Sequence, residues 1–79
     1  MRFKKVKTIG GFSYQCYFTP YDSKEIRIAR IDEPHLERHK EFAERWSVNF
    51  VGGYANGEVR QLLKITNKIK KLSKEYRDK

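Results

Sequence analysis

The sequence predicts an α+β domain: a three-stranded antiparallel meander packed on one face by two helices, in the order β-β-β-α-α. Three observations predict it. The first third of the chain alternates apolar and polar residues with the period of two that belongs to strands. Turn chemistry interrupts that alternation twice, at Gly10-Gly11 and at Pro20 to Ser23. The last third changes to the 3.6-residue period of a helix. A chain of 79 residues is one small domain at most, with segments 1–31 as sheet, 32–47 as helix one, 48–56 as connector and 57–77 as helix two.

The first strand is read from the stretch Arg2 to Ile9, whose lysines suit an exposed sheet edge because they deter pairing with other chains. The Gly-Gly pair marks a tight hairpin. A two-residue turn there puts Arg2 and Lys4 on one face with Gln15; a three-residue turn puts Lys5 and Lys7 there instead. The second strand, Phe12 to Thr19, sends Phe12, Tyr14, Cys16 and Phe18 to the core and Ser13, Gln15, Tyr17 and Thr19 to the other face. The third, Lys24 to Ile31, adds Ile26 and Ile28 to the core and leaves Glu25, Arg27 and Ala29 opposite. Ile31 breaks this period, so the strand is expected to end or bulge near Ala29.

Asp32 or Glu33 followed by Pro34 reads as the start of a helix over Pro34 to Ser47. His35, His39, Phe42, Ala43 and Trp46 would share its inner side. The connector holds Phe50 and Tyr54 as aromatic anchors, and a short fourth strand at Val48 to Val51 is compatible with its composition. Asn56 is positioned to cap helix two. Val59, Leu62, Ile65, Ile69, Leu72 and Tyr76 form the apolar stripe of that helix, and Arg60, Lys64, Asn67, Lys68, Lys71 and Arg77 its outer face.

The formal charge is +8, and it is segregated. Residues 1–9 carry Arg2, Lys4, Lys5 and Lys7 with no acid, and residues 58–79 carry eight basic residues against three acids. Residues 32–47 hold five acids against three basic residues. Basic ends around an acidic middle point to a polyanionic partner: nucleic acid, with DNA ahead of RNA, or an acidic protein surface. No apolar run reaches the ~20 residues that span a bilayer, and the basic N-terminal stretch lacks the apolar segment of a signal peptide. With a single cysteine, these features lead to the expectation of a cytoplasmic protein without a membrane partner.

Chemistry finds few candidates. His35 and His39 stand at i and i+4, a spacing that can share a metal, with Cys16, Asp32 or Glu33 as a third ligand. The zincin pattern requires Glu directly after the first histidine, where this chain has Leu36, so packing is the expected role and no metal or other cofactor is expected. Cys16, among aromatics in a strand, should be inert. No glycine-rich phosphate loop occurs, and the acids of residues 32–47 alternate with Arg and Lys as a solvated face does. A non-enzymatic role is expected. The candidate surface is the second face of the sheet, with Ser13, Gln15, Tyr17 and Arg27 beside two basic residues of the first strand. Gln and Arg can read base edges, Lys neutralises phosphate, and Tyr can stack. Arg60, Lys64, Lys68 and Lys71 of helix two are the second set of candidate phosphate contacts.

The run Tyr14-x-Cys16-Tyr17-x-x-Pro20, the stretch Lys24 to Arg30, and an acidic-aromatic segment after it resemble the three-stranded-sheet DNA-binding domains of phage and transposon integrases and Apetala-type transcription factors. The resemblance covers about residues 3–46. It implies a sheet laid in the major groove, with Lys5, Lys7, Gln15, Tyr17 and Arg27 at groove-facing positions. The second basic helix has no counterpart in that family, and the sheet face is less arginine-rich than is usual there. The expectation is therefore a free-standing DNA-binding regulator or accessory factor of a mobile element. The alternative is a small phage-type regulator or inhibitor that docks on a host nucleic-acid-processing protein.

Overall fold

The computed structural model describes residues 1–21, 23–51 and 58–79. The meander is present as β1 (Arg2–Thr8), β2 (Gly11–Phe18) and β3 (Ile26–Asp32). A fourth strand, β4 (Ser47–Phe50), joins β3, giving the antiparallel order β1-β2-β3-β4. One α-helix among the described residues, α1 (Val59–Arg77), covers one face. The expected architecture of three strands and two helices is thus corrected, among the described residues, to four strands and one C-terminal α-helix.

The missing helix is the segment Pro34 to Ser47. It forms two single 3₁₀ turns, Glu37–His39 and Ala43–Arg45. Leu36 and Phe42, each just before a turn, have extended backbones with ψ of 126° and 112°. Space explains the difference. Four strands span roughly 14 Å between outer axes, whereas two helices side by side need about 20 Å. The amphipathic α1 packs on the covered face through Ile65, Ile69 and Leu72. Beside it Trp46 packs between Tyr14 and Tyr76 at centroid distances of 6.3 and 6.1 Å, with Ala43 and Val48 also against the core. Its indole N–H donates to the Lys40 carbonyl at 3.0 Å. A continuous helix would not leave residues 47–50 extended to pair with β3.

The β1–β2 hairpin turns through Ile9 and Gly10, with Thr8 opposite Gly11. Gly11 has φ of +149°, a conformation that a side chain disfavours. Arg2, Lys4 and Val6 therefore lie opposite Tyr17, Gln15 and Ser13 and share their face. Lys5 and Lys7 lie opposite Tyr14 and Phe12 and belong to the helix-covered side.

A bulge sits in β3. Cys16 pairs with Ala29 but Tyr17 pairs with Arg27, leaving Ile28 as the extra residue. The bulge resets the alternation, so Ile28, Ala29 and Ile31 are all buried on the covered side. Ala29 is thereby moved from the expected outer face to the core, and the strand continues to Asp32. The core comprises Tyr14, Cys16, Ile28, Ala29, Ile31 and Trp46 with Ile65, Ile69 and Leu72 of α1. Val59 and Leu63, at the start of α1, are exposed rather than packed. Asn56 and Tyr54, expected as a cap and an anchor, lie outside the described residues. Among the described residues no helix is long and apolar enough to cross a membrane.

Candidate nucleic-acid interface

The uncovered face of the sheet is built from alternate residues of four strands. β1 contributes Arg2 and Lys4, β2 contributes Ser13, Gln15 and Tyr17, β3 contributes Arg27, Arg30 and Asp32, and β4 contributes Ser47 and Asn49. The pleat aims them all one way because directly paired residues of neighbouring strands share a face. Ser13 is buried, Gln15 and Tyr17 are half-buried, and Arg2, Lys4, Arg27, Arg30 and Asn49 are exposed.

Several of these side chains hold one another in place. The Tyr17 hydroxyl donates to Gln15 Oε1 at 2.6 Å. The Arg2 guanidinium lies 4.4 Å from the Tyr17 ring centroid and donates through two nitrogens to Glu25, at 3.1 and 2.7 Å. That hydrogen-bonded pair raises the pKa of Arg2 and lowers that of Glu25. Arg30 Nε and Asn49 Nδ2 both donate to Asp32, at 3.1 and 2.9 Å. Lys4 and Arg27 form no ion pair among the described residues. Arg30 and Asn49 were not foreseen as site residues. The bulge that turns Ala29 inward turns Arg30 outward, and β4 brings Asn49 beside it.

Of the residues predicted as contacts, Ser13, Gln15, Tyr17 and Arg27 share this open face. Lys5 and Lys7 do not. Lys5 Nζ sits 4.0 Å from the Phe12 ring centroid on the covered side. Lys68 of α1, expected to point outward, is half-buried over Phe3 and Tyr14 at 5.4 and 5.9 Å. It thus borders β1. Lys64 and Lys71, one turn to either side, continue the row, and Arg60 stands exposed a turn further back. β1 is an edge strand, so cations line both of its sides: Arg2 and Lys4 on the open face, then Lys5, Lys7 and the Lys68 row behind it. A basic ridge wraps this edge and connects the sheet face with α1.

An open cleft of about 980 Å³ lies at the hairpin end of the face. Its lining includes Arg30, Arg45, His35 and His39 with Ser13, Ser47 and Asn49. The histidines therefore neither pack in the core nor share a helical face; they belong to the cleft wall. No group of three or more His, Cys, Asp or Glu side chains that could hold a metal occurs among the described residues. Cys16 is fully buried, and burial pushes its thiol pKa up to about 12, which keeps it protonated and unreactive at neutral pH.

Compared with protein-family models, with curated proteins and with solved structures, the chain matches none.

Proposed function

We propose that the protein binds single-stranded nucleic acid across the open face of its sheet, with the strand's phosphates along the ridge at β1. The observation that carries this reading is the continuity of cations around the β1 edge, from Arg2 and Lys4 through Lys5 and Lys7 to Lys68. A phosphate backbone needs closely spaced positive charge and gains affinity by releasing counterions. Beside that ridge the face offers a tyrosine ring for stacking, and Gln15, Arg27 and Asn49 for base edges.

Width favours a single strand over a duplex. The major groove is about 12 Å wide and admits a helix or a two-stranded ribbon. Four strands already span roughly 14 Å before side chains are added. A single strand has no such limit, because its bases splay onto a sheet surface. The test is fluorescence anisotropy with labelled single-stranded DNA, single-stranded RNA and duplex of one length, from about 50 to 200 mM salt. Tighter binding of single strands, weakening steeply with salt, is the expected result. Absence of binding to every oligonucleotide removes the reading.

A second reading, docking on an acidic protein surface, draws support from the internal bonds of the face. Arg2, Gln15, Tyr17 and Arg30 already have partners within the chain, so apart from Arg27 the freest cations lie at the β1 edge and on α1. A chain that ignores all oligonucleotides but is held by an immobilised acidic polypeptide, and released by Lys64→Glu with Lys71→Glu, fits that reading instead.

A further inference from the structure

We infer that the cleft at the hairpin end of the open face holds the phosphorylated end of a strand, so that the protein prefers a terminal phosphate to a terminal hydroxyl. This rests on the reading of the open face as a nucleic-acid surface.

The cleft is a continuation of that face, since Ser13, Arg30, Ser47 and Asn49 belong to both. Its far side is made by the segment after β3. There His35 comes against the hairpin turn: a side-chain carbon built on Gly10 would lie 3.4 Å from His35 Nδ1. A strand running along the face toward the hairpin therefore meets a wall and stops. An end of the strand, rather than its middle, fits such a place.

Charge then selects the kind of end. Arg30 and Arg45 supply the positive charge of the cleft, and His35 and His39 line it as further hydrogen-bonding groups. The two acids there are each bonded within the chain. Asp32 is held by Arg30 Nε and Asn49 Nδ2. Glu33 is held by Lys40 at 3.1 Å and by the Tyr76 hydroxyl. Arg45 has no ion pair among the described residues, and Arg30 spends only Nε on Asp32, leaving the outer edge of its guanidinium free. An arginine fork suits phosphate oxygens. A terminal phosphate carries about −1.5 to −2 charges at pH 7, where an internal diester carries one, so this cluster favours the end. The cleft is also large enough for the nucleotide behind that phosphate, with Ile9 and Leu36 exposed as apolar surface for sugar or base.

The experiment compares one single-stranded 12-mer with a 5′-phosphate, a 3′-phosphate or hydroxyls at both ends, by competition anisotropy against the wild-type chain and against Arg45→Ala. Arg45 is exposed, so its removal leaves the fold intact. The expected result is about tenfold tighter binding of one phosphorylated form, with the preference lost in Arg45→Ala while the hydroxyl-ended strand binds as before. Equal affinities for all three strands, or a preference that survives Arg45→Ala, overturn the cleft assignment and leave the surface reading standing. If no strand binds, both fall. A mononucleotide that competes as well as the phosphorylated strand at equal concentration overturns the strand end in favour of a free nucleotide.

Discussion

The Tyr76 hydroxyl, at the C-terminal end of α1, donates a 2.5 Å hydrogen bond to Glu33 Oε1 just beyond β3. The other oxygen of that carboxylate meets Lys40 Nζ at 3.1 Å and accepts the Phe12 backbone N–H at 3.3 Å. One side chain, itself 2% exposed, thus ties the hairpin, the end of the first 3₁₀ turn and the helix together. Burial opposes the charged form of Lys40, but its hydrogen bonds to Glu33 and Glu37 outweigh it and raise the pKa. Burial and the bond to Glu33 raise that of Tyr76.

Removing one member of this network leaves another exposed to the interior. Tyr76→Phe deprives the Glu33 carboxylate of a donor and should cost about 1.5–3 kcal/mol. Lys40→Met leaves the buried carboxylate without its cation and should cost more, roughly 3–5 kcal/mol. Urea unfolding followed by fluorescence of Trp46 checks both. A loss below 0.5 kcal/mol in Lys40→Met would mean that the pair is solvated and unimportant.

The two glycines of the hairpin should respond differently to alanine. A Cβ on Gly11 would stand 2.7 Å from Glu33 Oε2, at a backbone φ of +149°. Gly11→Ala should lose about 1–3 kcal/mol through strain and displacement of that carboxylate. Gly10→Ala meets only His35, at ordinary van der Waals distance, and should stay within about 0.5 kcal/mol of the parent. Equal thermal midpoints for the two variants would contradict this hairpin geometry.

Alkali should unfold the protein. The Cys16 thiol has an ordinary value of 9.0, raised to about 12 in the fold. Between these values the unfolded chain releases the proton and the native chain retains it, so stability falls by about 1.4 kcal/mol per pH unit from this group alone. The raised pKa values of Tyr14, Tyr76 and Lys40 act in the same direction at higher pH. Stability measured from pH 8 to 11 should decline from about pH 9. In Cys16→Ala, weaker overall because a buried atom is lost, the onset should shift to about pH 10. An unchanged onset would assign the effect elsewhere.

On the open face, Lys4→Ala and Arg27→Ala should each lower the slope of log affinity against log salt by about 0.7 for single strands. Tyr17→Ala should weaken binding by roughly 1–3 kcal/mol with little change in that slope, because stacking involves no counterions. Lys4 and Arg27 are exposed, so their unfolding midpoints should match the parent. Affinities unchanged in all three variants would move the site off the sheet.

Local pattern carried much of this protein. The alternation in residues 12–18 assigned Tyr14 and Cys16 to the core and Gln15 and Tyr17 to the opposite face, and both assignments hold. Ile31, out of phase, points to an end or a bulge near Ala29, and the structure has a bulge one residue earlier, at Ile28, with the strand continuing to Asp32. The stripe of Ile65, Ile69 and Leu72 marked α1. These are short-range properties, because strand and helix periods are geometric constants of the backbone. The segment from Pro34 to Ser47 was illegible for the opposite reason. Its helical pattern was weak, with two histidines and an alanine in the stripe, and short helices depend on tertiary packing for stability.

Local pattern alone therefore carries the three strands of the meander, the basic helix, the two faces of β2 and the clustering of cations at the chain ends, but not the fourth strand. Which lysines stand together, where the histidines lie, and that Glu33 is an anchor rather than a cap are set by packing between distant parts of the chain. Those outcomes depend on how much covered face α1 leaves free and on a hairpin register set by Thr8 opposite Gly11. Such competition for space among residues far apart in the chain has no periodic signature, so it becomes visible only when the sheet is closed by its helix.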